Sequence, residues 1–221
     1  MAIKLEKRQG ISLKKENGAN LTKITLGSSW CEQKAGTRTV TETVKKKGFL
    51  NKLRGATEEV TRTINVQAKD IDLDTGVLAY KGNDYRGICY FGERNMYVRN
   101  NHIIHHYGDA LSGSKKFTEK DNEQIDIYLD KVDTSVVDTF YLVMNIFTSG
   151  IDFGDVESTK VNVYDDKGES IAYYNPADDY KGNNGIIVGK VYYTGAVWKF
   201  EAVGEGCNIG RIKDFARVIK K

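Results

Sequence analysis

Proline is almost absent from this chain. Pro176 stands alone among 221 residues, which excludes a proline-rich linker. Cysteine is scarce and odd in number, and Cys31, Cys89 and Cys207 lie far apart. That spacing excludes a disulfide framework and a CxxC metal knuckle and is read as reduced, structural thiols. No apolar run approaches the roughly 20 residues of a membrane span. The start, MAIKLEKRQG, lacks the apolar core of a signal peptide, so the expected compartment is the cytoplasm. Also missing are a GxSxG, P-loop or GxGxxG in a strand-to-helix setting, and a Ser or Cys with a His at recognisable spacing, so no enzyme activity is expected.

What is present describes an ordered, turn-rich protein: 22 Gly, 13 Tyr and a hydrophobic fraction of 40%. One domain over 1–221 is expected, long enough to bury a substantial core. The formal charge of +3 is unevenly spread. Through residue 69 the chain has 15 basic against 6 acidic residues, and beyond it 18 against 24. The basic KKKGFLNKLRG has one aromatic, Phe49, and matches no nucleic-acid motif, so no specific nucleic acid is expected. It reads as a solvated insert at about 31–65. Its Lys45-Lys46-Lys47 and Lys52-Arg54, with Phe49, Leu50 and Leu53, offer an alternative: peripheral association with an anionic membrane, or a scaffold independent of any metal.

Alternation dominates. IKLEK, ISLKK, LTKITLG, IDLDTGVLAY, GICYFG, HIIHHYG, QIDIYLDKV, DTFYLVMNIF, KVNVYDD, SIAYYN, GIIVGKVYY and VWKFEAVG all read as strands. Asp166-Lys167-Gly168 and Thr194-Gly195 mark hairpin turns. TRTVTETV and EEVTRTINVQA suggest a hairpin carrying the basic segment at its tip. FGDVEST and the terminal RIKDFARVIKK have helical spacing, the latter placing Ile212, Phe215, Ala216 and Ile219 on one face. The expected fold is all-β, an antiparallel β-sandwich with a short C-terminal helix.

Acidic and amide side chains crowd two windows, Asp70, Asp72 and Asp74 in KDIDLDTG and Asp121, Asn122 and Glu123 in KDNEQI, with Asp109 of HHYGD between them. A strand has a side-chain period of 2, so the three Asp of DIDLD project from one face, where like charges repel unless a cation sits among them. Calcium takes six to eight oxygens, from carboxylates, carbonyls and water. Asp72 and Asp74 supply the strand side. The stretch from Asp109, with turns allowed at Gly108 and Gly113, returns Asp121 and Glu123; Asp70 and Asn122 are marginal. An EF-hand is excluded because DIDLDTG is followed by VLAYKG. A phosphoryl-transfer Asp-x-Asp-x-Thr is excluded too, because Thr75 falls one position early and the helical crossovers of an α/β fold are missing. His102 and His106 share a strand face, but no adjacent acid or cysteine completes a tetrahedral zinc set. His106 is expected to orient the loop or to cover the sheet.

The order of IKLEKRQGISLKK, LTKITLGSSW, DIDLD, HHYGD with LSG, KDNEQIDIYLDKV, FGDV and VWKFEAVGEG resembles the TerD-like tellurium-resistance and stress-response family, in its longer members. The resemblance covers nearly the whole chain. It implies a calcium-binding β-sandwich in bacterial stress resistance, with protein partners of a stress-response complex. The implied ligand set is Asp72, Asp74, Asp109, Leu111, Gly113, Asp121 and Glu123, preceded by Asp70. Three departures stand out. Ala110 replaces an Asn, Cys31 replaces an Asp, and SKKFTEK lengthens the loop by about three residues while adding Lys115, Lys116 and Lys120. A lysine near a dication costs about 1 kcal/mol or more at close range, which predicts the loss of one of two calcium sites. The scattered thiols argue against thiol chemistry on tellurite.

Overall fold

The computed structural model describes residues 2–32, 36–45, 47, 55, 57–66, 69–115, 118, 120–176 and 180–219. They divide into two units, 1–32 with 70–221, and 33–69. In the larger unit, one seven-stranded sheet runs in the order β1 (Ile3–Lys4), β13 (Ser170–Tyr174), β12 (Thr159–Tyr164), β3 (Ile24–Trp30), β10 (Glu123–Ile127), β9 (Asn101–His106) and β8 (Asn95–Val98). A six-stranded sheet runs β2 (Gly10–Ser12), β15 (Trp198–Cys207), β14 (Gly185–Tyr193), β11 (Thr139–Ile146), β6 (Leu73–Lys81) and β7 (Asp84–Tyr90). The pairings are antiparallel except that of β1 with β13, which is parallel. The expected sandwich is therefore present, with one parallel edge.

Alternation explains how the sheets close. Leu26 and Trp30 of β3, Ile125 and Ile127 of β10 and Val161 and Val163 of β12 meet Val77 and Ala79 of β6, Phe140, Leu142 and Met144 of β11 and Phe200 of β15 in one buried core. Leu78 and Tyr80 of β6 and Val143 of β11, on the intervening face, are buried as well, and a second layer accounts for it. A 3₁₀ turn at Ile212–Asp214 leads into helix α1 (Phe215–Val218), and Ile212 and Phe215 pack on Leu78, Tyr80, Ile88, Val143 and Ile187. Buried on both faces, β6 reads as a continuous apolar run after Thr75, as a covered strand should. The predicted C-terminal face of Ile212, Phe215, Ala216 and Ile219 is the face that docks.

Local chemistry sets the turns. Between β12 and β13 the Asp165 carboxylate accepts from the Lys167 and Glu169 amides, both at 2.9 Å, and Gly168 takes φ +83°, a conformation glycine adopts at little cost. FGDVEST is not helical. Its Asp152 side chain accepts from the Gly154 amide at 2.7 Å and Asp155 accepts from the Asp152 amide at 3.1 Å, and such local bonds compete with the helix. The histidine spacing is also reset. A register shift opposite Met96 and Tyr97 moves His102 onto the face of His105, with ring centroids 5.8 Å apart, while His106 turns inward. The expectation that His102 and His106 share a face fails because a β-bulge inserts one residue into the period.

In the smaller unit, β4 (Gly36–Lys45) and β5 (Thr57–Val66) pair over ten residues as an antiparallel ribbon, with Thr41 and Thr61 hydroxyls 3.2 Å apart. This is the expected insert hairpin. The basic tip, apart from Lys45, Lys47 and Gly55, lies outside the described residues.

Because Phe215 is fully buried against the second layer, Phe215→Ala is expected to cost about 3–5 kcal/mol. Urea unfolding followed by circular dichroism measures it, with a lowered midpoint at unchanged slope.

Candidate metal centre

The centre forms where β6 begins. Asp72 precedes the strand and is pinned from both sides: its amide donates to Thr148 Oγ1 at 2.8 Å and its carbonyl accepts from the Phe147 amide at 2.9 Å. Leu73 faces the core, so Asp72 and Asp74 share the opposite face. Asp109 arrives on the loop after β9. One carboxylate oxygen from each of Asp72, Asp74 and Asp109 lies within 4.8 Å of the others, with Asp74 buried and Asp109 exposed. Asp74 stands opposite Asn145 in the β6–β11 ladder.

Glu123 holds this arrangement together. Its buried carboxylate accepts from the Thr75 amide at 3.1 Å, the Thr75 hydroxyl at 2.5 Å and the Ala110 amide at 3.1 Å. One side chain of β10 thus binds β6 of the facing sheet and the residue next to Asp109. His106 assists from β9, its Nδ1 accepting from the Gly108 amide at 3.1 Å. That bond places the proton on Nε2, which sits 3.6 Å from Glu123 Oε2. The expectation that His106 orients the loop is met by this contact. The far side of the loop closes on β3: the Ser114 amide donates to the Trp30 carbonyl at 2.9 Å, and the Trp30 indole donates to the Ile71 carbonyl at 2.9 Å. Gly113 lies so close to Trp30 that an added Cβ would fall 2.6 Å from the indole.

The electrostatics of the cluster are unfavourable as it stands. Burial, then the charges of Asp72, Glu123 and Asp109, push the Asp74 carboxyl up to about 7. Asp72 is raised by burial and by Asp109 and Glu123. Asp109 is raised by burial and Glu123, partly offset by His106 and Arg94. Two buried oxygens in this region, Asp72 Oδ1 and Asn145 Oδ1, have no hydrogen-bond partner among the described residues. The Asn145 amide nitrogen donates to the Ile146 carbonyl at 2.7 Å. Buried polar atoms are normally paired, so both oxygens have lone pairs to offer a cation. The donor set is all oxygen, the chemistry of a hard divalent ion.

The other predicted residues are distributed around this nucleus. Asp121 points to the outer face of the seven-stranded sheet, over Gly27, and accepts from Asn162 and Gln124, both at 3.0 Å. Asn122 accepts from the Trp30 amide at 3.0 Å. Asp70 is exposed and lies near Glu32, whose carboxyl is raised by burial and by Asp70 and lowered by Lys115. Leu111 is exposed. Of the three lysines predicted to burden the site, Lys115 acts on Glu32, Lys120 lines a shallow depression with Asp121, and Lys116 lies outside the described residues. Asn145 was missed by sequence reasoning. Nothing in YLVMNIF marks it, and only the β6–β11 register puts it beside Asp74. Two of the three thiols are poor nucleophiles: burial pushes Cys89 up to about 12 and Cys207 to about 11.

Among the described residues, no helix is long and apolar enough to cross a membrane. The TerD domain family matches residues 1–218. Stress response protein SCP2 of Bacillus subtilis is 34% identical over 221 residues, covering 97% of each chain. General stress protein 16U of the same organism is 27% identical, covering 93% of this chain and 91% of its own. Tellurium resistance protein TerD of Serratia marcescens is 30% identical over 149 residues, covering 66% of this chain and 75% of its own. The crystal structure of a telluride resistance protein homologue from Streptomyces coelicolor A3(2) shares the fold, with a TM-score of 0.59 at 14% identity, covering 89% of this chain and 96% of that one. With its full-length match and its acid-lined β6, the chain belongs to the TerD domain family.

Proposed function

We propose that this protein is a calcium-binding, non-enzymatic stress-response module in which the ion fixes the Asp109–Glu123 loop as a surface for protein partners. The observation that carries the reading is the pair of buried, unpartnered oxygens of Asp72 and Asn145 beside carboxylates that burial and mutual repulsion already strain. Asp72, Asp74 and Asp109 would hold the ion, with Asn145 as a neutral fourth donor. Bound calcium supplies the positive charge that the cluster lacks. The chain's own part is positional: Glu123 fixes Ala110, His106 fixes Gly108, and Trp30 lies against Gly113. The non-enzymatic part rests on the sequence, which carries no GxSxG, P-loop or GxGxxG in a strand-to-helix setting. The Thr75 hydroxyl donates to Glu123, and the Thr148 hydroxyl accepts from the Asp72 amide. The stress-response part rests on family membership and on the names of the relatives.

Calorimetric titration of chelator-treated protein with calcium is expected to show saturable binding, a raised melting temperature and a change in Trp30 emission. A titration without heat or melting shift overturns the proposal. Asp74→Asn and Asn145→Ala are each expected to weaken binding about tenfold or more, by loss of a ligand in a site of few donors.

Without metal, Asp74→Asn should stabilise the fold, because it removes a buried like charge. The sign follows from the raised carboxyl. Its protonated form is favoured in the folded state, so its contribution to stability is present at low pH and lost as pH rises through about 7. Thermal melts in chelator should therefore show the variant's full gain at pH 8, a smaller gain between pH 7 and 4, and a match to the parent only below the ordinary carboxyl value of 3.8.

A further inference from the structure

We propose that the outer edge of β5 is a self-association site, joining the ribbons of two copies of this chain into one four-stranded antiparallel sheet. The ribbon is a two-stranded sheet with no third strand on either side among the described residues. A lone hairpin is marginal in water, and an open ten-residue edge is a template for another strand. The register of the ladder holds without a break from Gly36–Val66 to Lys45–Thr57, so this edge is free of bulges.

The sequence of the edge selects its occupant. Glu58, Val60 and Arg62 share one face of β5 by the period of 2, and Glu58 and Arg62 are exposed. In an antiparallel β5–β5′ pair with Val60 on the two-fold axis, Glu58 of each copy stands opposite Arg62 of the other, and Val60 meets Val60. On the other face Thr57 meets Thr63 and Glu59 meets Thr61. Opposite charges, Thr–Thr and β-branched pairs directly across strands are all favourable. Moving the axis to Glu59 sets two glutamates against each other, moving it to Arg62 does the same with two arginines, and moving it to Thr61 leaves Glu58 and Arg62 without a charged partner. One two-fold register thus satisfies the charges, and the interface is isologous, as a closed dimer requires. The proposal is independent of calcium and uses no residue of the metal centre.

Charge exchange tests it in the full-length protein. Sedimentation equilibrium of the purified protein is expected to show a dimer in reversible equilibrium. Arg62→Glu creates two Glu–Glu pairs and Glu58→Arg two Arg–Arg pairs, and each should weaken dimerisation about tenfold or more. An equimolar mixture of the two variants should restore association, because each then carries the charge the other lacks. The double variant Glu58→Arg with Arg62→Glu should dimerise like the parent. Both sites are exposed, and unchanged circular dichroism and melting temperature verify the fold. A parent that stays monomeric at its highest soluble concentration overturns the proposal and points to a different polypeptide as occupant. Single variants that dimerise as well as the parent overturn it too.

Discussion

Glu123 is a carboxylate removed from water between two sheets, and the geometry of the acid cluster depends on what it binds. A buried carboxylate without donors would cost several kcal/mol. Here the Thr75 amide and hydroxyl and the Ala110 amide satisfy it. Thr75 directly follows Asp74 and Ala110 directly follows Asp109, so one side chain sets the separation of two acids that come from different elements. The residue is structural in its contacts, and its effect is felt at the acid cluster.

The same arrangement concentrates negative groups at one end of the sandwich. The fold brings three carboxylates within reach of one another and buries Asp74 among them. Burial disfavours the charged form of each acid, and each neighbour adds to the effect. The positive charge of Arg94 acts on Asp109, and none of the influences on Asp74 is a positive group. Core packing and the Glu123 bonds must therefore hold this end of the sandwich against its own charge.

How far the sequence could be read follows from the range of the interactions involved. The sandwich and its hairpins were legible because alternation and turn residues act over two to five positions, as at Asp165–Gly168. The docking of Ile212 and Phe215 was legible because helical spacing survives even in one turn and a half. Asp72, Asp74 and Asp109 were found because acids at period 2 on a strand, followed by Gly-Asp, are locally conspicuous. Asn145 and Glu32 were not, since each acquires meaning only from a cross-strand or loop partner far along the chain. Asp121 and Glu123 were grouped by proximity in sequence, yet they emerge on opposite faces of the sheet. The histidine faces were misassigned through one inserted residue in β9, a feature that single-chain periodicity does not register.

The rims of the sandwich differ from those of the ribbon. β1 and β2 have only two and three residues. β8 and β7 are longer, and the ladder beside each is interrupted by a register shift. Short and kinked borders are the usual safeguard against fibril growth and sheet polymerisation. With its own margins closed off in this way, the sandwich offers a second copy no long, regular border on which to stack into filaments.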